Sequence, residues 1–214
     1  MLSIIKSMSL FGLNGYLIDV QVDVSAGLPC FEIVGLPDTS IRESKERVKV
    51  AIKNSGFNLY SRKILVNLAP ATKRKEGSIY DLPIAIGILS ANEFISTNTN
   101  NIAFLGELSL DGKVNKINGI LPMCIELKKL GIKKVVLPQE NAKEAGIVKG
   151  IQIIPVSSLC ETVEYLNNKI EINFENIEFE DLYVENINNN IDFAEVKGQH
   201  NIKRAIEVAA SRCT

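Results

Sequence analysis

Apolar and polar positions alternate without a break from Tyr16 to Val24. Tyr16, Ile18, Val20, Val22 and Val24 fall on one side, and Leu17, Asp19, Gln21 and Asp23 on the other. A period of two predicts an antiparallel strand with one buried and one wet face. Residues 2–10 predict a strand before it, across a turn at Gly12–Gly15, and Phe31–Val34 predict a short strand after the turn at Gly27 and Pro29. Three strands in succession predict a meander. After the break at Gly35-Leu36-Pro37-Asp38, Ser40-Ile41-Arg42-Glu43 has the form of a capping box. It opens a helix reaching Asn54, with Ile41, Val48 and Ile52 inward and Gly56 as the stop.

A strand at Ile64–Leu68 then feeds the charged turn Lys73-Arg74-Lys75-Glu76-Gly77 and the most apolar helical stretch of the chain. Leu82, Ala85, Ile86 and Leu89 recur at helical spacing with Ile84 and Ile88 on the flank, so this helix belongs at the centre of the core. Asp81 stands where a cap would, with Pro83 in the first turn. Further on, the pattern predicts a buried strand at Ile102–Leu105, a hairpin turning on Asp111-Gly112, a helix over 120–130, a strand over 134–137 and a short helix over 138–145. A strand over 151–156 and a helix over 158–166 follow. Alternating strands and helices imply right-handed parallel crossovers, so the expected class is α/β with a mixed (α+β) sheet.

Residues 167–191, rich in Asn and Glu, read as an acidic linker to which Ile170, Ile172 and Phe174 could add an edge strand. Residues 192–214 lead into a helix from Asn201 to Arg212 and read as the start of a further domain cut by the chain end.

With 46% hydrophobic residues in 214, the chain can bury one sizeable core. A net charge of -1 excludes a uniformly basic nucleic-acid binder, but the charges are segregated. Arg42 to Lys75 holds ten basic residues against two acidic ones, a balance of +8, and Lys169 to Asp192 holds seven acidic residues against one basic, a balance of -6. Arg42, Lys45, Lys49 and Lys53 recur three or four apart, on the outer face of the first helix. Together with Lys73, Arg74 and Lys75, if helix and turn fold onto the same side, they form a patch able to meet phosphates. No aromatic residue is interleaved with them, so the binding expected is independent of sequence. The plain alternative is a solvated helix face and a solvated loop.

Other chemistry is sparse. Cys30, Cys124, Cys160 and Cys213 are far apart and without a C-x-x-C pair, so they read as reduced, buried thiols rather than a zinc site or a disulfide framework. His200 is the single histidine, so no metal site is expected and a surface helix position is. Asp19 and Asp23 keep one strand face soluble. No apolar run reaches transmembrane length and the N-terminus is too polar for a signal peptide, so no membrane contact and a cytoplasmic location are expected.

Several motifs together carry a family resemblance: Gly35-Leu36-Pro37-Asp38, Ser44-Lys45-Glu46-Arg47-Val48, Leu68-Ala69-Pro70-Ala71, Gly106-Glu107-Leu108 and the stretch from Pro70 to Asn92. With Val196-Lys197-Gly198-Gln199 and Lys203-Arg204-Ala205, the chain resembles the N-terminal domain of magnesium-chelatase-like AAA+ ATPases of the YifB/ComM type. The resemblance implies a Lon-like domain over residues 1–166, on the ribosomal-protein-S5-like fold of the Lon proteolytic domain. It implies that Gly198 and Gln199 stand at the nucleotide-binding edge of an ATPase module beginning near residue 192. For the full-length protein it implies an ATPase using ATP and Mg, a homo-oligomeric ring, and DNA as partner in helicase and branch-migration work. A chelatase accessory subunit is the other role in such families. No G-x-x-x-x-G-K-[ST] occurs in this sequence, so this chain alone is expected to hold no cofactor.

Similarity to Lon also raises a serine nucleophile activated by a neutral lysine. Setting Gly77 on the glycine that precedes the serine puts Ile79 at the serine's place, and setting Gly106 and Gly112 on the Gly-Glu segment puts Leu121 at the lysine's. The resemblance therefore implies a domain without the catalytic dyad. A relocated pair, Ser78 with Lys116, is the remaining peptidase reading.

Overall fold

A computed structural model describes residues 2–12, 14–59, 62–73, 75–173 and 196–211. The chain divides into two compact units, residues 1–177 and 178–214.

In the first unit, strands β1 (Leu2–Phe11) and β2 (Asn14–Ser25) form a long antiparallel hairpin. The alternation in β2 is realised: Ile18, Val20, Val22 and Val24 are buried. On the wet face Asp19 accepts a hydrogen bond from Lys6 at 2.7 Å and Gln21 accepts one from Asn67 at 2.9 Å. Strand β3 (Cys30–Val34) does not continue a meander. It lies parallel to β4 (Lys63–Ala69), which itself pairs antiparallel with β2. Helix α1 (Thr39–Asn54) makes the crossover between these parallel neighbours, which a hairpin turn could not do.

Helix α2 (Asp81–Ala91) follows, then β5 (Ile102–Phe104), the two-stranded ribbon β6 (Glu107–Leu108) and β7 (Val114–Asn115), and α3 (Ile120–Lys129). Strand β8 (Lys134–Pro138), a 3-10 turn at Gln139–Asn141, α4 (Ala142–Ala145), β9 (Gln152–Val156) and α5 (Leu159–Leu166) complete the unit. The main sheet has the order β3-β4-β2-β1-β5-β8-β9, mixed and mostly parallel. One core lies between the sheet and α1, α2 and α5; the other lies under α3 and α4. The fold is thus mixed α/β, of the Lon-like kind. No strand forms at 170–173, although Ile172 packs on the first core; Phe174 lies outside the described residues.

Helix α2 is central, with every residue buried except Ser90. Gly87 rests so close to β2 that an added Cβ would come 2.5 Å from Val22 Cγ2. Two capping assignments change. Helix α1 is capped by Asp38, whose Oδ1 accepts from Ile41 N at 2.8 Å, while the Ser40 carbonyl accepts from Arg47 Nη2 at 3.2 Å. Asp81 is the first residue of α2 rather than its cap; its carboxylate faces Arg47 of α1 instead.

In the second unit α6 (His200–Ser211) is an exposed helix, with Ile202, Ile206 and Val208 among its exposed apolar residues. No described helix is long and apolar enough to cross a membrane.

Candidate functional site

Helix α1 buries Ile41, Val48, Ala51 and Ile52, which turns Arg42, Lys45, Lys49 and Lys53 outward. All four are exposed, and a rise of 1.5 Å per residue spreads them over about 16 Å. Two adjoining grooves lie between α1 and the sheet-ending strand β3. One, of 560 Å³, is bordered by Arg42, Lys45, Leu36 and Phe31; the other, of 330 Å³, by Lys45, Lys49, Arg62 and Phe31. Lys45 and Phe31 belong to both. Glu32 and Glu46 also border these grooves and offset part of the positive charge.

Phe31 and Arg62 are the residues that reading in sequence order missed. Phe31 lies eleven residues before Arg42 in the chain, and only the parallel β3–β4 pairing brings it under the cations. Arg62 counts toward the +8 segment, but its place beside Lys45 and Lys49 follows from its position just ahead of β4.

The basic turn does not extend this row as a unit. Lys75 is fully buried: its Nζ donates to Gly35 O at 2.9 Å and to Pro70 O, and desolvation lowers its pKa. Its amide donates to Leu36 O and its carbonyl accepts from Asp38 N, so the turn at 35–38 and the turn at 70–75 are laced together around it. Lys75 is therefore corrected from a surface phosphate ligand to an internal strut, because these carbonyls leave it no route to solvent. Lys73 is exposed, but its Nζ lies 4.1 Å from the Tyr16 ring centroid, in a different groove from the α1 cations. Arg74 lies outside the described residues. Gly198 and Gln199 precede α6, with Gln199 O accepting from Ile202 N and Lys203 N.

The thiols differ from expectation. Cys124 is buried, and burial pushes its pKa up to about 12, whereas Cys160 is exposed and Cys30 intermediate. Cys213 lies outside the described residues.

Ile79 and Leu121 are both half-buried and pack on one apolar cluster with Ile120, Met123 and Leu127. The Ser78 hydroxyl donates to Glu107 Oε2, whose other oxygen accepts from Asn115 Nδ2 at 3.4 Å. Ser78 thus engages a carboxylate rather than an amine. Among the described residues no three His, Cys, Asp or Glu side chains converge to hold a metal ion.

A family model described as subunit ChlI of Mg-chelatase matches residues 20–141, from β2 to the 3-10 turn before α4. The chain belongs to this family. Two relatives match nearly the whole length of this chain. It is 32% identical over 212 residues to competence protein ComM of Haemophilus influenzae, covering 98% of this chain and 42% of that protein. It is 35% identical over 211 residues to the uncharacterized protein YifB of Escherichia coli, covering 98% and 41%. Lon protease 2 of Bacillus subtilis is 31% identical over 181 residues, covering 75% of this chain and 32% of that protein, in keeping with the Lon-like sheet. The chain spans about two fifths of the length of ComM and YifB.

Proposed function

We propose that the first unit is a non-proteolytic accessory domain of a ComM-like, ring-forming AAA+ ATPase of the cytoplasm, and that its α1 cations hold DNA by the phosphate backbone without reading sequence. One observation carries this reading: Arg42, Lys45, Lys49 and Lys53 stand exposed in a row, the first three bordering grooves that share Phe31. Phosphate contacts of this kind release counterions and position a strand without reading its bases. Apolar side chains at 79 and 121 support a domain that does not cleave. The nucleotide, Mg and motor work belong, in this reading, to an ATPase module following Gly198 and Gln199.

Fluorescence anisotropy of labelled single-stranded and forked DNA tests it at low and moderate salt. Salt-steep binding that Lys45→Ala with Lys49→Ala weakens is the expected result; binding unaltered in that variant removes α1 from the interface. A second reading, assembly alone, is favoured by the exposed Leu28, Val34 and Leu36 at the sheet-ending strand β3 and its turns. Sedimentation over a range of concentrations tests it, and a monomer throughout would sink it. Casein turnover lost in Ser78→Ala would instead restore a peptidase, and tetrapyrrole binding would restore a chelatase accessory.

A further inference from the structure

A row of cations on a convex helix is enough to meet the phosphates of a duplex, whose bases stay stacked inside. Beside the α1 row, however, the surface is concave. The grooves of 560 and 330 Å³ both fall within the roughly 300–1,000 Å³ of ligand sites. Ile33 and Leu36 line the first, and Leu59 and Ile64 the second, an apolar surface for which a phosphate has no use.

Phe31 stands where the two grooves meet. With Lys45 it borders both, while Arg42 borders the first and Lys49 and Arg62 the second. Arg42 and Lys49 lie about 10 Å apart along α1, so the fold interleaves an aromatic ring with cations that carry none between them in the sequence. The ring is half-buried and packs on the first core, which fixes its place, and its open side meets the grooves. The turn after β3 points the same way. Leu36 is 55% exposed at the first groove with its backbone at φ +57°, a left-handed conformation that a bulky residue rarely takes. It is held there by the hydrogen bond from Lys75 N to Leu36 O and by the close approach of Gly35, where an added Cβ would come 2.3 Å from Leu68 O. Strained backbone of this kind collects at ligand sites.

We propose that these grooves select single-stranded over duplex DNA by taking an unstacked base against Phe31, with Leu36 at the rim and the flanking phosphates held by Arg42, Lys45 and Lys49. Selection of this kind rests on the reading of α1 as the DNA contact, and adds the form of DNA that it takes. A base-paired strand keeps its aromatic faces in the stack, and only an unpaired nucleotide turns one toward a side chain. Every base has such a face, so strandedness is selected without reading sequence. Glu32 and Glu46, which also border the grooves, repel phosphate from the space and leave it to the uncharged base.

The test is fluorescence anisotropy of the full chain with a labelled mixed-sequence single strand, the same strand with abasic sites in place of its bases, and the blunt duplex. All three carry phosphates, and only the first offers free bases. The expected result is at least about tenfold tighter binding of the single strand than of the abasic one, a gap that Phe31→Leu closes. The same variant is expected to leave duplex affinity and the slope of log affinity against log salt unchanged, since stacking releases no counterions. Phe31→Trp keeps an aromatic face and supplies the tryptophan that the chain otherwise lacks; its emission is expected to be quenched by the single strand and not by the abasic one. If Phe31→Leu lowers the urea midpoint of the fold, that emission decides. Equal affinity of the parent for the single and abasic strands, equal weakening of all three probes by Phe31→Leu, or Phe31→Trp emission indifferent to the single strand would overturn the proposal. Any of these, with binding still weakened by Lys45→Ala with Lys49→Ala, leaves α1 as a phosphate contact alone; binding that ignores the lysine pair removes the DNA reading of α1 and this selection with it.

Discussion

Arg47 of α1 grips Asp81 of α2 in two places, Nε to Oδ2 at 2.8 Å and Nη2 to Oδ1 at 3.2 Å. Asp81 has no exposed surface and also accepts from Leu108 N at 3.3 Å, so one carboxylate ties α1, α2 and β6 together. Burial raises the Asp81 pKa and the Arg47 hydrogen bonds pull it part-way back; on Arg47 the bond to Asp81 raises the guanidinium. The contact fixes the rotation of α1 about its axis, and with it the outward row of cations.

Removing one partner leaves the other uncompensated. Asp81→Ala is expected to cost about 3–5 kcal/mol, the typical loss on breaking a buried pair, read as a lower urea midpoint. Arg47→Met with Asp81→Leu is expected to recover much of that loss, since neither charge is then stranded. A double variant no more stable than the single one would contradict the assignment.

Lys75 gives a pH signature. Its folded pKa lies below the ordinary 10.5 because burial disfavours the charged form. Between the two values the unfolded chain binds the proton more readily, so this group adds stability as pH rises through the folded value, complete above the unfolded one, and loses it as pH falls. Urea midpoints taken from pH 7 to 11, within the range where the fold survives, are expected to show this contribution in the parent relative to Lys75→Met. Parallel curves for the two proteins would count against a protonated, buried lysine.

The same substitution separates two views of the basic segment. Lys45→Ala with Lys49→Ala is expected to make the slope of log affinity against log salt shallower by about 2, one phosphate for each lysine. Lys75→Met is expected to leave that slope unchanged, because its amine faces carbonyls inside the fold. Equal effects from both variants would argue against the burial of Lys75.

Thiol labelling checks the second core. Cys160 is expected to react with a maleimide in the native protein at pH 8, and Cys124, buried beneath α3 with its pKa at about 12, only after denaturant is added. Cys124 labelling at the native rate of Cys160 would mean that α3 does not pack as described.

The sequence alone determined what is periodic or local. The alternation of β2, the apolar helix α2, the Asp111-Gly112 hairpin and the crossover units after β5 are legible because each is written in neighbouring residues, whose spacing records which side meets the core. The outward stripe of α1 was legible for the same reason. Tertiary structure decided what depends on residues distant in the chain. Strand β3 pairs with β4 rather than β2, since a run of apolar residues does not say which edge it will join. Asp81 meets Arg47, and the second oxygen of Asp38 accepts from Gly77 N, because carboxylates in a folded chain go to the donors nearest in space. Lys75 belongs to a charged run in the sequence, yet the crossing of two turns encloses it.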